Sequence, residues 1–140
     1  MTELVNRKEI TVRFSENDPM GVVWHGNYLK YLEDGRESFG LQFGLGYADY
    51  YKSRLMAPIV KISCSYKSPL RFGESAVVIT TYRFTESAKI VFDYRIVRKE
   101  KEEIILEAET VQVFTDLEGK LLIAHPEFYA KWKYDRGFPV

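Results

Sequence analysis

The sequence predicts an α+β domain, one long helix laid on an antiparallel sheet, and three observations carry that prediction. One segment repeats its apolar residues every three and four positions, whereas an early segment and four later ones alternate with period two. The later segments are joined by short polar turns, as antiparallel neighbours require. The 140 residues, 46% hydrophobic and 15% aromatic, suit one core. Residues 1–140 are accordingly read as a single domain.

Ile10, Val12 and Phe14 alternate with Thr11 and Arg13, the pattern of a half-buried first strand. Ser15 to Gly21 is rich in turn formers. After Gly26-Asn27, with Asn27 as the expected cap, Tyr28, Tyr31, Leu32 and Phe39 form the apolar stripe of a helix over about 27–42. Lys30, Glu33, Asp34, Arg36 and Glu37 fall on its other faces, and Gly44-Leu45-Gly46 ends it. Gly35 in its middle costs about 1 kcal/mol relative to Ala, which marks a place where something lies close against the backbone.

From Pro58 onward four strands follow. Their shared faces are Val60, Ile62, Cys64 and Tyr66; Val78, Thr80, Tyr82 and Phe84; Ile90, Phe92, Tyr94 and Ile96; and Ile104, Leu106, Ala108 and Thr110. Thr85 to Ser87, Lys99 to Glu102 and Asp116 to Gly119 read as turns, and Pro126 to Tyr134 as a terminal helix. One helix covers only part of a five-stranded sheet. The apolar surface left over predicts a homo-oligomer.

Twenty Lys+Arg balance twenty Asp+Glu, and the basic residues are scattered, so a nucleic-acid function is not supported. Met1 to Arg13 lacks the apolar run of a signal peptide, and no stretch is long enough to span a bilayer, which favours a cytoplasmic protein. The single Cys64 forms no internal bridge and reads as strand packing rather than as a nucleophile. His25 and His125 are the only histidines, so no His-rich or Cys-rich zinc site arises without carboxylates, and His125 before Pro126 reads as a turn residue. HExxH, G-x-S-x-G and Walker patterns are absent.

The informative stretch is Asn17 to Tyr28. It sets Asp18 and His25 seven positions apart around a Gly-containing loop that ends at a helix N-terminus. Unpaired N–H groups and the positive dipole end there stabilise an oxyanion or a polarised carbonyl. Asp18 is a candidate nucleophile, or a base that activates water. On pattern alone the alternative stands beside it: an Asp before Pro as a turn residue, and a His near a helix start as a structural hydrogen-bonder.

The run Asp18-Pro19-Met20-Gly21-Val22-Val23-Trp24-His25-Gly26-Asn27-Tyr28 resembles the signature D-x-x-G-x-V-[YFW]-[HYF]-x-x-Y of the 4-hydroxybenzoyl-CoA thioesterase-like branch of hotdog-fold acyl-CoA thioesterases. The resemblance continues through Tyr31-Leu32-Glu33, Pro58-Ile59-Val60 and Tyr66 to Glu74. It implies a hotdog fold, a five-stranded antiparallel sheet wrapped around a central helix, and hydrolysis of an acyl-CoA to a carboxylic acid and free CoA. It further implies Asp18 as the essential carboxylate and the His25 backbone N–H as the group polarising the thioester oxygen, with the His25 side chain orienting or protonating. Gly21, Val23, Trp24 and Gly26 would contact substrate. No metal or cofactor is implied, CoA being part of the substrate, and the sites lie between subunits of a homodimer or homotetramer.

Some relatives carry a tyrosine where this chain has Phe14, so hydroxyl assistance from that position is missing. In the 4-hydroxybenzoyl enzyme a basic cluster in the turn between the later strands meets the CoA phosphates; the corresponding stretch Thr85 to Lys89 has one lysine, Lys89, as the candidate contact, and Arg71 and Lys61 read as solvated surface cations. Glu33 is the candidate for a subclass with its carboxylate on the helix, a role that Asp18 makes unnecessary. Tyr47 to Tyr51 either line an acyl pocket or cap the sheet. A non-catalytic acyl-CoA-binding module and a hydroxyacyl thioester dehydratase remain alternatives on the same fold.

Overall fold

A computed structural model describes residues 3–139. The chain begins with β1 (Val5–Thr11) and reaches the main helix α1 (Tyr28–Phe43) through 3-10 turns at Phe14–Glu16 and His25–Asn27. A short α2 (Tyr47–Lys52) follows, then β2 (Leu55–Met56), β3 (Ile59–Tyr66), β4 (Ser75–Arg83), β5 (Lys89–Arg98), β6 (Ile104–Val113), β7 (Thr115–Asp116) and α3 (Glu127–Asp135). The expected helix and its four following strands are all present. The first strand starts and stops earlier than its alternation suggested: it ends at Thr11, and Phe14 sits exposed in a 3-10 turn.

The five long strands form one antiparallel sheet in the order β1-β4-β5-β6-β3. The β4–β5 and β5–β6 neighbours are hairpins, while β3 crosses to the far edge beside β6. The β2–β7 ladder and α2 have no counterpart in the sequence pattern, because two-residue strands and a six-residue helix of under two turns are too short to show a period. The helix packs on the β1 and β4 half of the sheet, burying Tyr28, Tyr31, Leu32, Gly35 and Phe39. Beneath it lie Val78, Phe92, Tyr94 and Ile96, all at most 2% exposed. Gly35 meets the sheet as its sequence context indicated: a Cβ there would stand 2.6 Å from Thr80 Oγ1 and 2.7 Å from Val78 Cγ1. This is the α+β hotdog arrangement.

Among the described residues no further strand pairs with the far edge, β3. On β3 the alternating face Val60, Ile62 and Tyr66 stays 43–59% exposed, and Cys64, expected in the core, packs against its margin half-buried. Asn27 also differs from expectation. It makes no side-chain cap on α1; its Nδ2 donates instead to the Glu16 carbonyl at 2.8 Å.

At the opposite end of the sheet from the first loop, α3 closes the fold. The Lys133 ammonium is buried there and donates to the carbonyls of Thr85 (2.6 Å) and Ser87 (3.1 Å), with His125 Nε2 at 2.9 Å. Tyr129 and Tyr82 share a hydroxyl contact of 2.7 Å, and the Tyr129 hydroxyl reaches the Lys89 carbonyl at 2.7 Å. His125, read as a turn residue, is therefore also a partner of a buried lysine.

Candidate active site

The loop between β1 and α1 is folded by its own turn chemistry. Asp18, Pro19 and Gly21 occupy the turn positions that favour them, with Gly21 N–H donating to the Asp18 carbonyl at 3.0 Å and Asp18 N–H to the Val22 carbonyl at 2.7 Å. Gly21 has φ +81°, a left-handed conformation that glycine adopts without strain. A bridge pairs Asn17 with Val23. Bridge partners have Cα atoms about 5 Å apart, so the stem carrying Asp18 runs beside the one leading to His25.

The turn engages one oxygen of the Asp18 carboxylate. Its Oδ1 accepts the Met20 N–H at 2.8 Å, the contact of a turn residue, while Oδ2 has no hydrogen-bond partner among the described residues. A carboxylate held by one oxygen keeps the other for chemistry. The group is half-buried, and its charge reaches the neighbouring Tyr28 phenol. Burial pushes that phenol up from its ordinary range, the Leu70 N–H donating to its oxygen pulls it back, and Asp18 adds a smaller rise.

The helix end is built as a 3-10 turn. Asn27 N–H bonds to the Trp24 carbonyl at 2.9 Å, and among the described residues no hydrogen bond uses the N–H of His25 or Gly26. These are the orphan donors of a helix start, where negative charge is favoured. The His25 ring is exposed and rests against Trp24 with centroids 4.8 Å apart. Its carbonyl accepts the Tyr66 hydroxyl at 3.0 Å. Trp24 is half-exposed and Val23 buried, and Val23 N–H donates to the Leu70 carbonyl at 2.8 Å. Leu70 in turn donates its own N–H to the Tyr28 hydroxyl at 3.1 Å, tying loop, helix and strand turn together.

Asp18, Gly21, Val23, Trp24, His25 and Gly26 thus occupy one loop and helix start. Lys89 does not join them within the chain. It opens β5, whose other end, Arg98, braces the Pro69 carbonyl beside this loop, and the ten-residue strand from one to the other spans about 30 Å. Glu33 is exposed and lines a concavity of about 1030 Å³ beside β1 with Lys8, Phe14, Lys30 and Phe72. Of the Tyr47 to Tyr51 cluster, Tyr50 is buried with its hydroxyl on the Leu45 carbonyl at 2.9 Å, while Tyr47 and Tyr51 are exposed and stacked on each other. Among the described residues no group of three or more His, Cys, Asp or Glu is arranged to hold a metal ion, and no helix is long and apolar enough to cross a membrane.

Two residues with roles at the loop escaped the sequence reading. Glu16 takes the Trp24 N–H (3.0 Å) and the Asn27 amide on its carbonyl, and the Tyr31 hydroxyl on its carboxylate at 2.8 Å. Tyr66 reaches His25 across 41 residues of sequence. No local pattern announces a contact of that separation.

Comparison with known proteins bears on the family and the fold. The model of the thioesterase-like superfamily matches residues 12–133. YneP of Bacillus subtilis (strain 168), whose provisional name is that of an acyl-CoA thioesterase, is 47% identical over 76 residues, 54% of this chain and 55% of that protein. The chain spans about half the length of the curated relatives it matches first. A DHNA-CoA thioesterase from Staphylococcus aureus superimposes with TM-score 0.80 at 27% identity, covering 97% of each chain. Slr0204 of Synechocystis, a 1,4-dihydroxy-2-naphthoyl-CoA thioesterase, shares the fold with TM-score 0.81 at 22% identity, over 96% of this chain and 99% of its own. With the family model matching most of its length and the hotdog architecture in place, the chain belongs to the thioesterase-like superfamily.

Proposed function

We propose that this chain is an acyl-CoA thioesterase, working as one domain in the cytoplasm and hydrolysing an acyl-CoA thioester to a carboxylic acid and free CoA. The observation that carries the reading is the Asp18 carboxylate, held through Oδ1 and, among the described residues, free at Oδ2, on the loop where the N–H groups of His25 and Gly26 are likewise without a partner among those residues. The helix start polarises the thioester carbonyl, and Asp18 either attacks it or draws a proton from the attacking water. The carbon–sulfur bond breaks as the tetrahedral centre collapses, and the CoA thiolate takes up a proton; where Asp18 has attacked, water then hydrolyses the resulting Asp18–acyl anhydride, releasing the carboxylic acid and restoring the carboxylate. Trp24, with Gly21, Val23 and Gly26, shapes the entry to the carbonyl, and the exposed His25 ring orients or protonates. Thiolate is a good leaving group, so the reaction needs neither metal nor cofactor.

The open face of β3 supports a homodimer, itself able to pair into a tetramer. Twofold pairing of β3 edges sets the Ile59 end of one copy against the Tyr66 end of the other. Because β3, β6 and β5 are neighbours in that order, the Lys89 end of one chain then approaches the Asp18 loop of its mate, and Lys89 contacts the CoA phosphates there. The test is thiol release from short, long and aromatic acyl-CoAs by wild type and Asp18→Asn. Turnover by wild type with loss of at least a hundredfold in the variant is expected; an inactive wild type or a fully active variant overturns the reading.

A further inference from the structure

We propose that Tyr66 is a positioning residue that strengthens Gly26 N–H as a second carbonyl-polarising donor beside His25 N–H, acting through the His25–Gly26 peptide bond; this rests on the thioesterase reading. The Tyr66 hydroxyl donates to the His25 carbonyl oxygen at 3.0 Å. That oxygen and the Gly26 N–H are the two ends of one planar, resonance-coupled peptide unit. A hydrogen bond received at the oxygen draws electron density from the nitrogen and leaves its N–H a stronger donor. The Gly26 N–H is itself unused within the described residues.

The phenol is well supported for this task. Tyr66 ends β3 in register with Leu106 of β6, and its ring meets Tyr28 edge to face at 5.5 Å. Tyr28 is buried and tied to Leu70 through its own hydroxyl. Tyr66 is 49% exposed, yet its hydroxyl turns back to a backbone carbonyl. Partial burial also pushes this phenol up from its ordinary range, so it remains a proton donor at any working pH.

Tyr66→Phe removes only the hydroxyl and keeps the ring contact. Hydrolysis of the best acyl-CoA is expected to lose about tenfold in kcat with KM within about twofold, less than the loss of a whole oxyanion donor. The second readout is the infrared carbonyl stretch of an acyl-CoA bound to Asp18→Asn, which is expected to rise in wavenumber when Tyr66→Phe is added. Wild-type kcat in Tyr66→Phe, or an unmoved stretch, overturns the proposal. A wild type that binds acyl-CoA without turning it over removes the thioesterase reading while the stretch still decides Tyr66. Absence of both binding and turnover overturns the two together.

Discussion

The Tyr31 hydroxyl on α1 donates to Glu16 Oε1 at 2.8 Å, and the same carboxylate oxygen accepts the Arg13 N–H at 2.8 Å. One acidic side chain thus joins the residue that opens the 3-10 turn after β1 to Tyr31 on the main helix. Burial and the adjacent carboxylate push the Tyr31 phenol far up, so this bond keeps its proton on tyrosine. Glu16→Ala would orphan a buried hydroxyl, at a cost of about 1–3 kcal/mol. Urea unfolding should show that loss, with hydrolysis falling at least tenfold as the Asp18 loop loses its anchor. Glu16→Gln, which keeps an acceptor, should recover most of both.

Gly26→Ala tests how tightly the helix start is packed. A Cβ at this position would stand 2.1 Å from Trp24 Cζ3, so the half-exposed indole must swing away. Displacing a surface ring costs the fold about 1 kcal/mol or less. The expected result is a changed Trp24 emission spectrum and at least a tenfold fall in acyl-CoA hydrolysis, with only a small change in melting temperature.

Gly35→Ala sets two effects against each other. Helix propensity favours Ala by about 1 kcal/mol, but the new methyl meets Thr80 and Val78 at 2.6 and 2.7 Å in the packed core. Overpacking of this kind costs about 1–3 kcal/mol, so sterics win and the variant should be less stable in urea. Adding Val78→Ala should give part of the loss back. An increase in stability from Gly35→Ala alone would contradict the helix–sheet contact.

His125 gives the fold a pH dependence of definite sign. Burial first, then the neighbouring Lys133, hold its imidazole below the ordinary value of 6.5, while the Ser87 carbonyl opposes them. The unfolded chain therefore takes up this proton more readily than the folded one. The contribution to stability is complete above pH 6.5 and is lost as pH falls below it. Urea midpoints measured from pH 7.5 to 5 should decline less steeply in His125→Gln than in wild type.

The lysine beside it should matter at neutral pH. Burial draws Lys133 down to about 8, yet its ammonium is the donor for two carbonyls of the β4–β5 turn and lies 4.3 Å from the Tyr129 ring centroid. Lys133→Met strands those carbonyls and should cost about 2 kcal/mol, read as a lower urea midpoint with the amides of residues 85–88 exchanging faster.

Local chemistry made much of this protein readable in sequence. Periodicity marked α1 and the long strands, Gly35 announced the helix–sheet contact, and the Asp18-Pro19-Met20-Gly21 turn with its helix start announced the loop. Each depends on residues a few positions apart, whose spacing the backbone geometry dictates. Tertiary structure decided the rest. It moved β3 to the edge beside β6, left one face of that strand uncovered, and set Lys89 at the other end of the sheet from Asp18. It also brought Glu16 to Tyr31, Tyr66 to His25 and Lys133 to the Thr85 carbonyl. Strand order and these contacts reflect which distant surfaces exclude water together and which buried polar groups find partners, a condition on the whole chain that no short window of sequence contains.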